Sequence, residues 1–413
     1  MSFVISVVGA GGKSAYIERL AEKFARENRR VCITTTTHIY RQNDRENISY
    51  VGIDSDGGKL SYPGDKVFQS LRKNFDVILV EADGSRHMPV KIPAPYEPVI
   101  PACSDEIVIV MGHHAVGRSV GEVCQRFDSV DISKLEAKFP AINGDTIIDA
   151  QIIDFIAEEY YAKNIRADFP SANVKYIRNN IFDGLESQRG KKIALVIMAS
   201  GMGKRFSRYE NKLLYKIRGK EILRYGLDNM IDAQRLLADF GIKSEIFAVT
   251  ADDGLRKFLT GIYSDGLNII HNPDSVEGIA ASVRRGAGAA LTGNFDALLL
   301  MAGDMPNFGV ADILRLSLEF LCSGKIYGCA CSSHPSNPGI FLRECYDDLL
   351  KLSGDSGAMR LIKAAPYKTH YYLVRPEKLF DVDTIQDITS IMTSTFPPQI
   401  IPSSAAFLSE RSS

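Results

Sequence analysis

No apolar stretch of this 413-residue chain is long enough to cross a membrane: the longest, residues 193–198 and 297–301, have the length of β-strands. An excess of charge is missing too. With 49 Lys and Arg against 50 Asp and Glu, the net charge is −1 and neither half has the strong basic surplus of a nucleic-acid binder, so any anionic ligand must be held by local contacts. The apolar opening, residues 3–8, has no basic region before it and runs at once into a glycine turn. That pattern is a first strand rather than a secretory signal, and we expect a cytoplasmic protein with neither membrane nor nucleic-acid partners. Also absent is any C-x-x-C pair among the seven cysteines, Cys32, Cys103, Cys124, Cys322, Cys329, Cys331 and Cys345. They read as small buried hydrophobes, with Cys329 and Cys331 on one face of a strand. Sequence neighbours rarely face one ion together, so His113 and His114 are given a loop role and no zinc site is expected. Internal repeats and low-complexity segments are lacking as well.

What is present is one α/β grammar stated twice. Short apolar runs at residues 4–8, 31–35, 77–80 and 107–111 alternate with helical patterns such as residues 15–28, which predicts βαβ units. The grammar restarts at residues 193–198, 246–250, 268–271, 297–301 and 326–331, with helical stretches such as 311–321 between them. A polar Asp-Gly-containing run at residues 183–191 marks the join. We therefore expect two tandem α/β domains, residues 1–188 and 189–393. The serine- and proline-bearing tail, residues 394–413, is expected to be disordered.

In the second half the strand at 193–198 runs into Ala199-Ser200-Gly201-Met202-Gly203-Lys204-Arg205, and Asn211-Lys212-Leu213-Leu214 follows. Gly201 and Gly203 let the backbone approach an anion, while Arg205 and Lys212 neutralise phosphate charge: this is the chemistry of a triphosphate cradle. Asp304 stands just past the apolar run 297–301, where open α/β sheets bind ligands, and can hold Mg²⁺. Asp381 and Asp383 follow the apolar residues 371–374, and their two-residue spacing predicts one strand face. A helix N-cap is the competing reading for Asp383.

Together these residues resemble the molybdenum cofactor cytidylyltransferase family and its guanylyltransferase relatives, with their glycine-rich opening, K-L-L and D-x-P segments. Further matches are Gly278 to Ser282, Pro338 to Phe341, and Leu352-Ser353-Gly354-Asp355-Ser356-Gly357. Gly203 and Ser207 depart from the family's Ser and Gly, and Met359 stands where its arginine is expected, with Arg360 next. The resemblance implies a Rossmann-like nucleotidyltransferase domain with a mixed sheet. It also implies in-line attack by the terminal phosphate of a molybdopterin-type acceptor on the α-phosphorus of an NTP. By that resemblance Ala199, Ser200, Gly201 and Gly203 bind nucleotide and Lys212, Arg205 and Asp304 are catalytic. Asp304 and Asp383 hold Mg²⁺, and Gly278, Ser282, Gly354 and Asp355 bind the acceptor. Guanylyl enzymes carry glycine where Ser200 stands, which favours CTP.

In the first half Gly9-Ala10-Gly11-Gly12-Lys13-Ser14 follows a strand and opens a helix, a P-loop-like order with a shorter spacing. Backbone N–H groups of Gly9, Gly11 and Gly12 and the Lys13 charge suit a phosphate, and the Ser14 hydroxyl suits Mg²⁺. Thr34 to Thr37 add a row of hydroxyls, and Glu81 and Asp83 lie past a strand like the carboxylates of a second metal-binding motif. With Pro89 to Pro101, these segments resemble YqeC-type accessory proteins linked to selenium-dependent molybdenum hydroxylases. Arg178-Asn179-Asn180 departs from that family's Asn-Lys near the domain end. The resemblance implies ATP or GTP at this site and a molybdenum hydroxylase apoprotein as partner. The reading of the whole is a cytidylyltransferase fused to a nucleotide-binding maturation domain. A GTP- or sugar-phosphate-using transferase and a non-catalytic cofactor carrier are the alternatives.

Overall fold

A computed structural model of the chain describes residues 2–200, 211–263, 265–384 and 386–388. The tail 394–413 and the expected loop residues Gly201, Gly203 and Arg205 lie outside the described residues. The chain divides into two compact units, Met1–Ile181 and Phe182–Ser413.

The first unit is built on strands β1 (Phe3–Gly9), β2 (Val31–Thr35), β3 (Ile48–Tyr50), β4 (Val77–Glu81), β5 (Glu106–Gly112) and β6 (Asn173–Asn179). They form one sheet in the order β6-β5-β1-β4-β2-β3, and every pair is parallel. Parallel sheets are covered on both faces, so their strands read as continuous apolar runs. In β1 Val4 and Val8 enter one core cluster and Ile5 and Val7 the other. Helix α1 (Lys13–Arg26) packs Ile17 and Ala21 into the second cluster. Its N-cap is Gly12, with no side-chain cap and no acid in the first turn, so no side chain of its own satisfies its leading N–H groups. On the other face a helix Ala150–Ile156 continues through a π-helical turn, Ala157–Ala162, into Lys163–Asp168.

The second unit holds β7 (Lys192–Met198), α2 (Ile222–Asp239), β8 (Lys243–Thr250), β9 (Leu267–His271), α3 (Ile279–Thr292), β10 (Ala297–Ala302), α4 (Val310–Cys322), β11 (Tyr327–Cys331), β12 (Pro335–Leu342) and β13 (Thr369–Leu373). The sheet order is β9-β8-β7-β10-β12-β11-β13. It is mixed, because β12 pairs antiparallel with both β10 and β11 while the other pairs are parallel. Cys329 and Cys331 sit together on β11, both buried.

Three elements differ from the sequence expectation. The half-buried edge strand β6 has no apolar run to announce it. The start of β12, Pro335-Ser336-Asn337-Pro338, lies outside every expected strand, yet the sheet recruits it. Asp381 and Asp383 are not on a strand: the segment reaches the sheet edge through one backbone bond, Val382 N–H to Asp304 O at 3.0 Å, with no ladder beyond it.

Candidate functional sites

At the C-terminal end of β10 in the second unit, Lys212 gathers the carboxylates that the sequence scatters. Its ammonium donates to Asp304 Oδ2 at 2.6 Å, Asp383 Oδ1 at 3.1 Å and the Val382 carbonyl at 3.0 Å. Asn211 fixes the approach, its side chain accepting from Leu213 N–H at the start of a 3₁₀ turn. The N-cap reading of Asp383 fails here. Thr384 takes that place, its hydroxyl accepting from Asp387 N–H at 3.3 Å while the Asp387 carboxylate accepts from Thr384 N–H at 2.6 Å. The Asp383 carboxylate is thus left for Lys212.

Burial alone would depress the Lys212 ammonium, but Asp304 and Asp383 hold it above an ordinary lysine. Asp381 keeps an exposed edge, yet its carboxyl is pushed up to about 7 by partial burial and then by Asp304 and Asp383, against the pull of Lys212. Asp304 and Asp383 thus share one ammonium, with Asp381 near enough to feel all three charges. The Asp304 and Asp383 carboxylates offer oxygen donors of the kind hard divalent cations prefer. Among the described residues no group of three or more His, Cys, Asp or Glu side chains is placed to hold a metal ion.

The acceptor-side residues also converge. Gly278 (φ +103°) lies so close to the Gly354-Asp355 turn that a Cβ would come within 2.4 Å of Asp355 Oδ1, so only glycine fits. Ala280 N–H donates to the Gly354 carbonyl at 3.1 Å, tying α3 to the turn. Beside it lies a cavity of about 210 Å³ lined by Met198, Ile279, Val283, Leu300 and Phe341, with Asp355 and Asn337 as polar members. Ser282 faces inward on α3, hydrogen-bonded to Asn272, and Asn272 also reaches Ser200. Sequence reasoning missed Asn272. The signal was the one that exposed Asp304, a polar residue just past a parallel strand.

In the first unit Lys13, 3% exposed, donates to the Gly9 carbonyl at 2.7 Å, and the Ser14 hydroxyl donates to Glu81 Oε2 at 2.8 Å. Burial lowers the Lys13 pKa, opposed by Glu81 and Asp83, and burial raises the Glu81 carboxyl, opposed by Lys13 and Ser14. Asp83 is a hub. Fully buried, it accepts from Lys91, from Tyr161 O–H at 2.8 Å and from Gly9 N–H at 3.2 Å. Lys91 continues to Glu97 at 2.7 Å, and Arg126 closes on Glu97 from outside. Both Asp83 oxygens are engaged in holding the loop, so its charge acts through position.

The N–H groups of Gly9, Ala10 and Gly11 are spent on Asp83, Val110 O and Met88 O. The start of α1, where no side-chain cap intervenes, is left to meet an anion. The hydroxyl row is mostly structural, with Thr34, Thr35 and Thr36 donating to the carbonyls of Val51, Glu81 and Val99. Asn179 at the end of β6 donates to Gly11 O at 2.7 Å, so it buttresses the loop. His113 pairs with Tyr176 at 2.9 Å and Asp154 at 3.3 Å within the fold.

Among solved structures, the chain is similar to Rv0371c from Mycobacterium tuberculosis H37Rv, at 21% identity and a TM-score of 0.41 over 50% of this chain and 100% of that one. It is also similar to molybdopterin-guanine dinucleotide biosynthesis protein A from Archaeoglobus fulgidus, at 16% identity and a TM-score of 0.35 over 48% and 95%. A curated relative, "Uncharacterized protein YqeC" of Escherichia coli (strain K12), is 38% identical over 139 residues, which are 28% of this chain and 54% of the relative. The chain thus spans about half the length of that relative. Family models match residues 5–128, as YqeC protein, and residues 195–370, as MobA-like NTP transferase domain. The chain therefore carries a YqeC domain in its first unit and a MobA-like NTP transferase domain in its second.

Proposed function

We propose that the second domain is a Mg²⁺-dependent cytidylyltransferase that moves CMP from CTP to the terminal phosphate of a molybdopterin-type cofactor. The observation that carries the reading is the Lys212 ammonium held between Asp304 and Asp383 at the sheet edge. An acceptor phosphate oxygen attacks the α-phosphorus, the α–β bridging bond breaks, and pyrophosphate leaves. Lys212, with Arg205, offsets phosphate charge, and no protein nucleophile is needed. Asp304 and Asp383 would hold Mg²⁺, which when bound stabilises charge on the transferring and leaving oxygens. Ala199, Ser200, Gly201 and Gly203 form the nucleotide loop, and Gly278, Ser282, Gly354 and Asp355 orient the acceptor. The side chain at Ser200, where guanylyl enzymes have glycine, supports CTP.

The first domain, in this proposal, binds ATP or GTP through the start of α1, Lys13 and Ser14, with Ser14 and Glu81 offering oxygens to a cation and Asp83 holding the loop. Its role is in maturing a molybdenum hydroxylase in the cytoplasm. The test is to incubate the purified protein with Mg²⁺, molybdenum cofactor and each labelled NTP in turn. Pyrophosphate released with CTP supports the proposal, and release only with another NTP, or none at all, overturns it.

A further inference from the structure

Asn272 stands one residue past β9, held by its own N–H to the Thr250 carbonyl at 2.9 Å. Its side chain is wholly buried, at 0% exposure. The amide Nδ2 donates in two directions, to Ser282 Oγ on α3 at 3.1 Å and to Ser200 Oγ at 3.3 Å. Ser200 passes the contact on, donating to the Val249 carbonyl at 3.1 Å. Among the described residues the Oδ1 of Asn272 has no partner. Turning the amide over does not help. The Ser200 hydrogen is committed to Val249, so only Ser282 has a hydrogen to offer, and both donors of Nδ2 would lose their acceptors.

A buried acceptor without a donor weakens a fold, and an apolar side chain of the same shape would not carry that cost. The Oδ1 atom therefore gains the fold nothing here. What the carboxamide does join is one serine from the nucleotide loop and one from the acceptor-side helix.

We infer that Asn272 is a positioning residue that couples the nucleotide loop to the acceptor helix, so that a change at one is felt at the other. This rests on the transferase reading above. Ser282 is then linked to nucleotide binding only through Asn272. The test is a double-mutant cycle on CTP affinity, measured by calorimetry on the full chain with Mg²⁺ and no acceptor. Ser282→Ala should weaken CTP binding by about 3-fold or more in the wild-type background and leave it unchanged in an Asn272→Leu background. Asn272→Leu itself should weaken CTP binding.

Equal effects of Ser282→Ala in both backgrounds, or none in either, would overturn the coupling. So would wild-type CTP affinity in Asn272→Leu, whatever its melting midpoint. If Asn272→Leu does not fold, Asn272→Ser takes its place in the same cycle, with the same outcomes deciding. A wild-type protein that binds none of CTP, GTP, ATP or UTP fails differently: it removes the transferase reading, and the coupling with it. If another of the four is preferred, the cycle is run with that nucleotide.

Discussion

Lys91→Met isolates the buried charge hub of the first domain. Lys91 and Asp83 are both fully buried, and the ammonium also meets Glu97 and the Gly84 carbonyl. Methionine keeps most of the volume but removes the charge. Glu97 retains Arg126, whereas Asp83 keeps only the Tyr161 hydroxyl and the Gly9 N–H. Breaking a buried pair from one side costs about 3–5 kcal/mol, because the remaining carboxylate loses its ammonium partner where water does not reach it. For a unit spanning Met1–Ile181 each kcal/mol moves the melting midpoint by roughly 2–4 °C, so a fall of about 6–20 °C is expected. Adding Asp83→Asn should recover more than half of the loss, since the amide oxygen still accepts from Gly9 and Tyr161 without a charge. Differential scanning calorimetry on the full chain reads both variants. A fall of less than about 3 °C in Lys91→Met, or a double variant no better than the single one, would refute the reasoning.

Asp304→Asn should abolish pyrophosphate release while leaving the melting midpoint within a few degrees, because it removes a carboxylate beside Lys212 at nearly constant volume. Chelation with EDTA should stop wild-type release and added Mg²⁺ restore it, and turnover that survives either change would count against the metal assignment. CTP should give faster release than GTP, and a reversed order would overturn the argument from Ser200. In an Asp304→Asn background, Lys13→Ala should weaken ATP or GTP binding several-fold or more, since a charge-assisted contact contributes on the order of 2 kcal/mol. Unchanged calorimetric affinity would make residues 9–14 a structural turn only.

The strands legible in the sequence are those buried on both faces. Residues 4–8, 31–35, 193–198 and 297–301 are continuous apolar runs because helices cover both sides of a parallel sheet. Strand β6 escaped because its burial alternates between half-covered and exposed positions, and β12 because its opening prolines mimic a turn. The chemistry of the site residues was legible too. Lys13, Ser14 and Glu81 in the first unit and Asp304 in the second stand at or within a few residues of a strand's C-terminal end, whereas Lys212 is brought to Asp304 by a 3₁₀ turn. Asp383 was legible only as one of two possibilities, since a carboxylate ahead of a threonine and a helical turn suits a cap as well as a cation. The choice came from Thr384 and Asp387, which cap each other and free it.

What the sequence by itself determined, then, is the set of strands and helices announced by an apolar run or a period, and which side chains have the charge to meet phosphate. Those follow from period, apolar content and turn chemistry, all of which act over a few neighbouring residues. Pairing was decided by tertiary structure alone. Lys212 meets Asp304 across 92 positions and Asp383 across 171, and Asp83 finds Tyr161 across 78. Asn272, just past β9, joins Ser200, just past β7, to Ser282 on α3, with β8 lying between the two strands in the sheet. Such contacts depend on strand order and register, which are set by the burial of whole faces at once, and no local stretch of sequence contains that information.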